Sequence, residues 1–205
     1  MISSIFYDTQ SWSAKLIGDF ECPNQNIPKL EPKIIMPRPN LQSVPEHLHE
    51  EISLVKEDDL RDAFSHHSEA IDFLKNIPEE KWDYRYKEDK WNIKEVVQHI
   101  IDGERIFCNR ALVIARQDKT TPLPSFDPDD YGRASHANSR RKEDLITELQ
   151  AVQQSSKKLF ESFNDAQLRT KGMVNDYMIE VNSLGFVVVG HTLHHLKVLK
   201  DRYLK

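Results

Sequence analysis

Residues 188–197 read VVGHTLHHLK and place three histidines within five positions of a run that is otherwise typical of an apolar helix. His191 and His195 are four residues apart, so a helix that turns about 100° per residue sets them about 40° from each other on one face. Two imidazoles in this arrangement can share one metal ion. His194 points about 60° away from His191 and about 100° from His195, which places it outside such a pair.

A third imidazole is available on another predicted helix. Asn92 and Glu95 form a capping-box pattern at the start of that helix, which continues to about residue 116. His99 lies beside its apolar stripe, and Gly103 leaves space in front of it. Three protein ligands with one open position are the arrangement of catalytic zinc sites. Histidines four apart also occur by chance, so ordinary surface or core imidazoles are the alternative interpretation.

The residue that follows His191 excludes one class of metalloenzyme. The zincin motif has its catalytic glutamate at that position, whereas this chain has Thr192. Asp102 projects about 60° from His99, so it is a candidate catalytic base, a group that orients a ligand, or a fourth ligand. The alternative for Asp102 is an ordinary solvated acid. Glu104 lies about 140° from His99, and we expect it to pair with Arg105 or with a neighbouring helix.

Three further segments have helical periodicity, which makes an all-α four-helix bundle the predicted fold. Residues 56–76 form the first helix, with His67 on its apolar stripe as a hydrogen-bonded core residue. Residues 140–163 form the third helix, and the last begins at Asn182 or Ser183 and ends near Tyr203. We expect residues 118–137 to be an ordered crossover. Residues 164–181 suit a small hairpin or a helical turn.

The beginning of the chain differs from the rest in composition. Residues 1–45 contain six prolines and no sustained helical period, which predicts an N-terminal extension followed by a bundle domain at 46–205. This extension is either an arm that covers a partner subunit or a pocket, or a loosely held leader.

Composition narrows the class of protein further. A chain of 205 residues can bury a substantial core, and its formal net charge of -5 argues against binding to nucleic acid. Two cysteines, Cys22 and Cys108, are too few for a disulfide framework. Neither a signal peptide nor a membrane span is expected. The sequence therefore predicts a soluble cytoplasmic protein.

Several segments in this order make the chain resemble the DinB-like, or YfiT-like, family of metal-dependent enzymes. The resemblance covers about residues 46–205. The segments are KWNIKEV at 90–96, HIIDGERIF at 99–107, ARQD at 115–118, PLPSFD at 122–127, GHTLHH at 190–195 and LKDRYL at 199–204. Two features depart from the family pattern. The family generally lacks the proline-rich extension, and Gly103 replaces the threonine or similar small residue often found before the Glu-Arg pair.

The resemblance implies a bundle with up-down-down-up connectivity and a divalent ion, zinc or nickel, bound by His99, His191 and His195. It also implies a homodimer. Family members of known chemistry are thiol transferases that act with bacillithiol, mycothiol or glutathione-like thiols, or isomerases that use such a thiol; others are described as hydrolases.

We therefore expect a metal-dependent enzyme that acts on a small molecule, with a low-molecular-weight thiol as second cofactor and S-transfer as the reaction. A metal-dependent hydrolase, or a non-catalytic metal-binding or stress-response bundle, is the alternative. A structural bundle with ordinary core histidines is the remaining possibility.

Overall fold

The computed structural model describes residues 35–205, and helices account for most of them. The helices are His49–Leu54 (α1), Leu60–Ala63 (α2), Ser65–Lys75 (α3), Ile93–Ala115 (α4), Pro128–Ala134 (α5), Lys142–Glu161 (α6), Asp165–Leu168 (α7) and Val181–Val198 (α8). Strands Lys171–Val174 (β1) and Tyr177–Glu180 (β2) form an antiparallel hairpin. Helices α3, α4, α6 and α8 make the four-helix bundle, which confirms the predicted fold class with a small hairpin added.

Helices α3 and α6 run in opposite directions. Lys142 at the start of α6 donates to the main-chain carbonyl of Lys75 at the end of α3, with a distance of 3.1 Å. At the other end, the ring of Phe64 lies 5.9 Å from that of Phe160.

The other two helix pairs complete the connectivity. Helix α6 is parallel to α4, because Arg140 donates to Gln98 at 2.6 Å and Glu148, further along, pairs with Arg105 at 2.7 Å. Helix α8 is antiparallel to α4, since Tyr203 beyond its end donates to the Trp91 carbonyl just before α4 begins. Together the three pairs give the up-down-down-up order.

The parallel pair requires a crossover that runs back along the full length of α4, through residues 116–141. Near its beginning, Arg110 of α4 donates to the Pro124 carbonyl at 2.8 Å. Further on, Gly132 of α5 packs against the ring of Trp91. Helix α5 was not expected within this connection; it begins because Asp127 caps it and Pro128 occupies its first turn.

Helix α4 begins as its sequence predicts. The Asn92 side chain accepts from the Glu95 amide at 3.0 Å, and the Glu95 carboxylate accepts from the Asn92 amide at 2.9 Å. The capping box is therefore confirmed.

The start of α8 is different from the prediction. The helix begins at Val181, directly after β2 ends at Glu180, and no side chain caps it. Asn182 instead donates through its side-chain amide to the Pro37 carbonyl at 2.6 Å. The expected cap at Asn182 or Ser183 is wrong because the helix already begins at Val181, so both residues lie inside its first turn.

The predicted helix at 56–76 is two helices, α2 and α3, which join at Phe64. Asp59 caps α2 by accepting from the Arg61 amide, so the chain cannot extend the helix back to residue 56. The core histidine expected in α3 is buried: His67 is 6% exposed.

The described part of the predicted N-terminal extension packs on the bundle. Residues 1–34 lie outside the described residues. Within residues 35–45, Met36 and Val44 are buried, and the Arg38 amide donates to the Asp58 carbonyl. The domain boundary at residue 46 stays a prediction.

Helix α1 lies so close to α8 that only glycine fits at position 190. A Cβ at Gly190 would lie 2.2 Å from the main-chain oxygen of Glu51. We expect Gly190→Ala to lower the free energy of unfolding by about 1–3 kcal/mol, measured by urea denaturation, because a backbone must move to relieve the overlap. Gly132→Ala is the matched control, since its Cβ would be 3.4 Å from Trp91, an ordinary contact. Equal stability of both variants and the wild type would contradict this packing.

Candidate metal centre

Helix α8 carries two of the three candidate ligands on adjacent turns. His191 is 9% exposed and His195 is half-buried. Their spacing of four residues brings their Nε2 atoms to 3.1 Å from each other. The pair predicted from spacing is therefore formed in the structure.

Helix α4 brings the third histidine to the same place. The Nε2 atom of His99 lies 3.0 Å from that of His191, and its ring packs against Trp91 with centroids 4.8 Å apart. The ligand atoms of His99, His191 and His195 all lie within 4.8 Å of one another. Among residues 35–205, no other group of three His, Cys, Asp or Glu residues meets this criterion.

This arrangement of nitrogen atoms fits a divalent ion. Zinc–imidazole bonds are about 2.0–2.1 Å long, which separates two nitrogens of a tetrahedral site by about 3.3 Å. The observed separations of 3.0 and 3.1 Å are close to this value. Without an ion, three converging Nε2 atoms cannot all be satisfied by one another, because each contact needs one donor and one acceptor. The residues therefore fit a bound metal ion.

Gly103 makes room for the central imidazole. A Cβ at this position would lie 2.8 Å from Cε1 of His191. On the other side, the ring of Phe107 packs edge-on against His191 with centroids 5.4 Å apart. The orientation of His191 is thus set by the backbone of α4 and by one aromatic ring.

Burial keeps the three imidazoles in the neutral form that binds metal ions. It lowers the pKa of His99 to about 4. It also lowers the pKa of His191 to about 3, and the nearby His99 adds repulsion to the charged form. The pKa of His195 is shifted well below its usual value, by burial first and then by His191 and His99. Protons therefore compete weakly for these ligands near neutral pH.

One side of the centre opens into a cavity of about 270 Å³. His195 borders it together with Trp91, Tyr203 and Asp129 of the crossover. A small molecule that enters here reaches the exposed edge of the histidine cluster. Sequence reasoning did not single out Tyr203 or Asp129 as site residues, because the crossover reaches α8 only through the tertiary fold.

His194 lies outside the cluster, as its angle on the helix predicts. Its ring is next to that of His195, with centroids 5.1 Å apart, but its Nδ1 faces Glu50 at 3.5 Å.

The structure does not bring Asp102 to the three histidines. Its carboxylate accepts from Gln98 at 3.0 Å and lies 3.9 Å from Arg105, on the side of α4 that faces α6. Burial raises its pKa. The catalytic role assigned to Asp102 from the sequence stays a prediction.

Of the two partners expected for Glu104, the structure gives the neighbouring helix. Arg105 pairs with Glu148 of α6, whereas Glu104 points into the bundle, is 1% exposed and lies 4.0 Å from His67 of α3.

Comparison with known proteins agrees with this fold. The family model of the DinB superfamily matches residues 58–199. The chain belongs to the DinB superfamily. No curated protein sequence matches it.

Two solved structures are similar in fold. YfiT from Bacillus subtilis, described as a probable metal-dependent hydrolase with an unusual four-helix bundle topology, has 15% sequence identity and a TM-score of 0.53, over 80% of this chain and 93% of YfiT. A mycothiol-dependent maleylpyruvate isomerase has 11% identity and a TM-score of 0.55, over 77% of this chain and 62% of the isomerase.

Within residues 35–205, no helix combines the length and the apolar character needed to cross a membrane.

Adding one methyl group at Gly103 should weaken metal binding. We expect Gly103→Ala to reduce the affinity for Zn²⁺ by about 10- to 100-fold, because the imidazole of His191 must turn away from its position. Equilibrium dialysis with a competing chelator measures the change. Leu112→Ala, on the exposed face of the same helix, is the control. Unchanged affinity in Gly103→Ala would contradict the assigned orientation of His191.

The low pKa values predict a flat pH dependence of metal binding. The pKa is about 4 for His99 and about 3 for His191, and that of His195 is well below its usual value. The neutral fraction of the ligands therefore hardly changes between about pH 8 and pH 6, and the apparent Zn²⁺ affinity should stay within about threefold. Three histidines with the ordinary pKa of about 6.5 would lose on the order of 50-fold over the same range. Titration at both pH values distinguishes the two cases.

Proposed function

We propose that this protein is a metal-dependent enzyme in which His99, His191 and His195 bind one divalent ion, zinc or nickel, and that it transfers a low-molecular-weight thiol to or from a small electrophile. The observation that carries the proposal is the convergence of three neutral imidazoles at the edge of a cavity large enough for a small molecule.

The ion would lower the pKa of a thiol or water that binds beside it and so make a nucleophile available near neutral pH. The protein then has three tasks. Three imidazoles hold the ion without adding negative charge, Trp91 shields His99 from water, and the cavity next to His195 admits the substrate. Formation of the new sulfur–carbon bond breaks the bond from that carbon to the leaving group, which departs with its electron pair.

The surroundings favour a thiol over water as the nucleophile. In the described part of the chain, no carboxylate joins the group of three histidines, so a water molecule there would lack a buried general base. Asp129 borders the cavity but is exposed on the crossover. A thiol has an ordinary pKa of about 8.5, against 15.7 for water, so a thiol beside the ion would release its proton to solvent at the open cavity without a dedicated base. A sulfur ligand also suits zinc and nickel.

Metal-dependent hydrolysis is the second candidate, because YfiT is described as a probable hydrolase. Asp129 would then have to act as the base. A non-catalytic metal-binding or stress-response bundle is the third, and an ion with no accessible coordination position would favour it.

We also propose a small-molecule substrate, a homodimer and a cytoplasmic location, with no nucleic-acid partner.

The proposed chemistry predicts that thiols contact the metal directly. In protein loaded with Co²⁺, we expect glutathione, bacillithiol or mycothiol to produce a sulfur-to-metal charge-transfer absorption and to react with 1-chloro-2,4-dinitrobenzene. His191→Ala should lose the ion of the histidine centre and lower the rate by at least about 100-fold. His194→Ala should keep both this ion and the wild-type rate.

Two results would argue against the proposal. Full metal content in His191→Ala would refute the ligand assignment. Hydrolysis of p-nitrophenyl acetate by the wild type, with no thiol absorption band, would favour the hydrolase.

A further inference from the structure

A second cluster of polar side chains lies in the core of the bundle, on the side of α4 away from the histidine centre. It contains His67 of α3, Glu104 of α4 and Gln153 of α6, and we call it the core polar cluster. Their exposed fractions are 6%, 1% and 3%. Glu104 is five residues after His99, so the two side chains project about 140° apart on the helix. The core polar cluster is therefore separate from the three histidines.

The polar atoms of this cluster lack hydrogen-bond partners. Within residues 35–205, this holds for both carboxylate oxygens of Glu104, for Nε2 of His67 and for both side-chain polar atoms of Gln153. Buried polar atoms in folded proteins are nearly always paired, and each unpaired one costs about 1–3 kcal/mol. So many unpaired atoms on three buried residues indicate that water molecules or an ion complete their hydrogen bonding.

Burial lowers the pKa of His67 to about 4, so its imidazole is neutral and one ring nitrogen carries a free lone pair. Its Nε2 has no hydrogen-bond partner and lies 4.0 Å from Oε1 of Glu104. Burial raises the pKa of Glu104 to about 8, against the opposing effect of the nearby Ser156 hydroxyl, which donates to the Val152 carbonyl. A protonated Glu104 would not satisfy His67 at this separation, because hydrogen bonds of this kind are about 2.5–3.2 Å long.

An imidazole lone pair, a carboxylate and an amide oxygen are all electron donors, so a cation would satisfy these three groups together. The Gln153 side-chain nitrogen is a hydrogen-bond donor and would not bind the cation. Bonds from late first-row ions to nitrogen and oxygen are each about 2.0–2.2 Å, so at the present separation of 4.0 Å one ion would contact His67 and Glu104 only at a wide angle. A small rotation of either side chain brings the two atoms to the separation of about 3.3 Å found in a tetrahedral site. We propose that His67, Glu104 and the amide oxygen of Gln153 bind a second divalent ion, such as zinc. Bundle cores form metal sites in this way, from side chains on facing helices. The ion would link α3, α4 and α6.

The surface provides a route to this site. A cleft of about 570 Å³ between α3 and α6 is bordered by His67 and Gln153. Lys157 and Lys158 also border it, but both lie near Glu161, at 4.0 and 2.9 Å, which offsets part of their positive charge.

Counting bound ions tests the proposal. After dialysis of the full chain against Zn²⁺ and removal of free metal, elemental analysis should give two ions per wild-type chain. His191→Ala should keep one ion, in the core polar cluster. The single variants Glu104→Gln and His67→Gln should each keep one ion, in the histidine centre. The double variant that combines Glu104→Gln with His191→Ala should keep no ion. His66→Ala is the matched control, because this neighbouring histidine faces Glu57 and Glu69 instead and should leave both ions bound.

The result for His191→Ala keeps the test decisive even if the core variants do not fold. X-ray absorption of zinc in that variant should show one imidazole and otherwise oxygen ligands. A single ion in the wild type with none in His191→Ala would overturn the second site, and so would two or more imidazoles in the variant's spectrum. Two ions in Glu104→Gln would overturn it as well. Failure of the proposed function would look different, since His191→Ala would then retain the full metal content of the wild type.

Discussion

The close contact between α4 and α8 at Gly103 and His191 is the constraint on which the histidine centre depends. Because position 103 has no side chain, the imidazole of His191 lies against the backbone of α4, where a Cβ would approach it to 2.8 Å. At this separation His99 can reach the pair on α8. With a side chain at position 103, the His191 ring or the helix that carries it would have to shift from the position it has in this chain.

The parallel arrangement of α4 and α6 has a consequence for the same centre. Parallel neighbours need a connection as long as the helices themselves, and this crossover runs back along α4 from Pro124 to Gly132. It therefore contributes Asp129 to the cavity beside His195 and packs Gly132 against Trp91, the ring that covers His99. The connectivity of the bundle thus builds part of the wall of the proposed active site.

Helix α4 also explains how one bundle accommodates two buried polar clusters. Its side chains at His99 and Glu104 point in different directions, one toward α8 and one toward α3 and α6. Burial favours the uncharged form in both cases, since it lowers the pKa of His99 and raises that of Glu104. Neither residue therefore carries a full unpaired charge in the core near neutral pH. Such a charge would strongly destabilise a small bundle.

The sequence by itself determined the features that depend on neighbours within one or two helical turns. These are the shared face of His191 and His195, the divergence of His194, the capping box of α4 and the helical character of the four bundle segments. The interpretation of His99 as the third ligand also came from the sequence, although its proximity required that α4 face α8.

Only the tertiary structure decided the features that depend on contacts between distant segments. Asn182 does not cap α8 because the hairpin leads directly into a helix that begins at Val181. Asp102 faces the arginines near α6 and not the histidines. Glu104 faces His67 because α3 packs on that side of α4. Helical periodicity gives the direction of a side chain around its own axis, but not which helix lies there. That choice follows from how the whole chain packs its apolar faces.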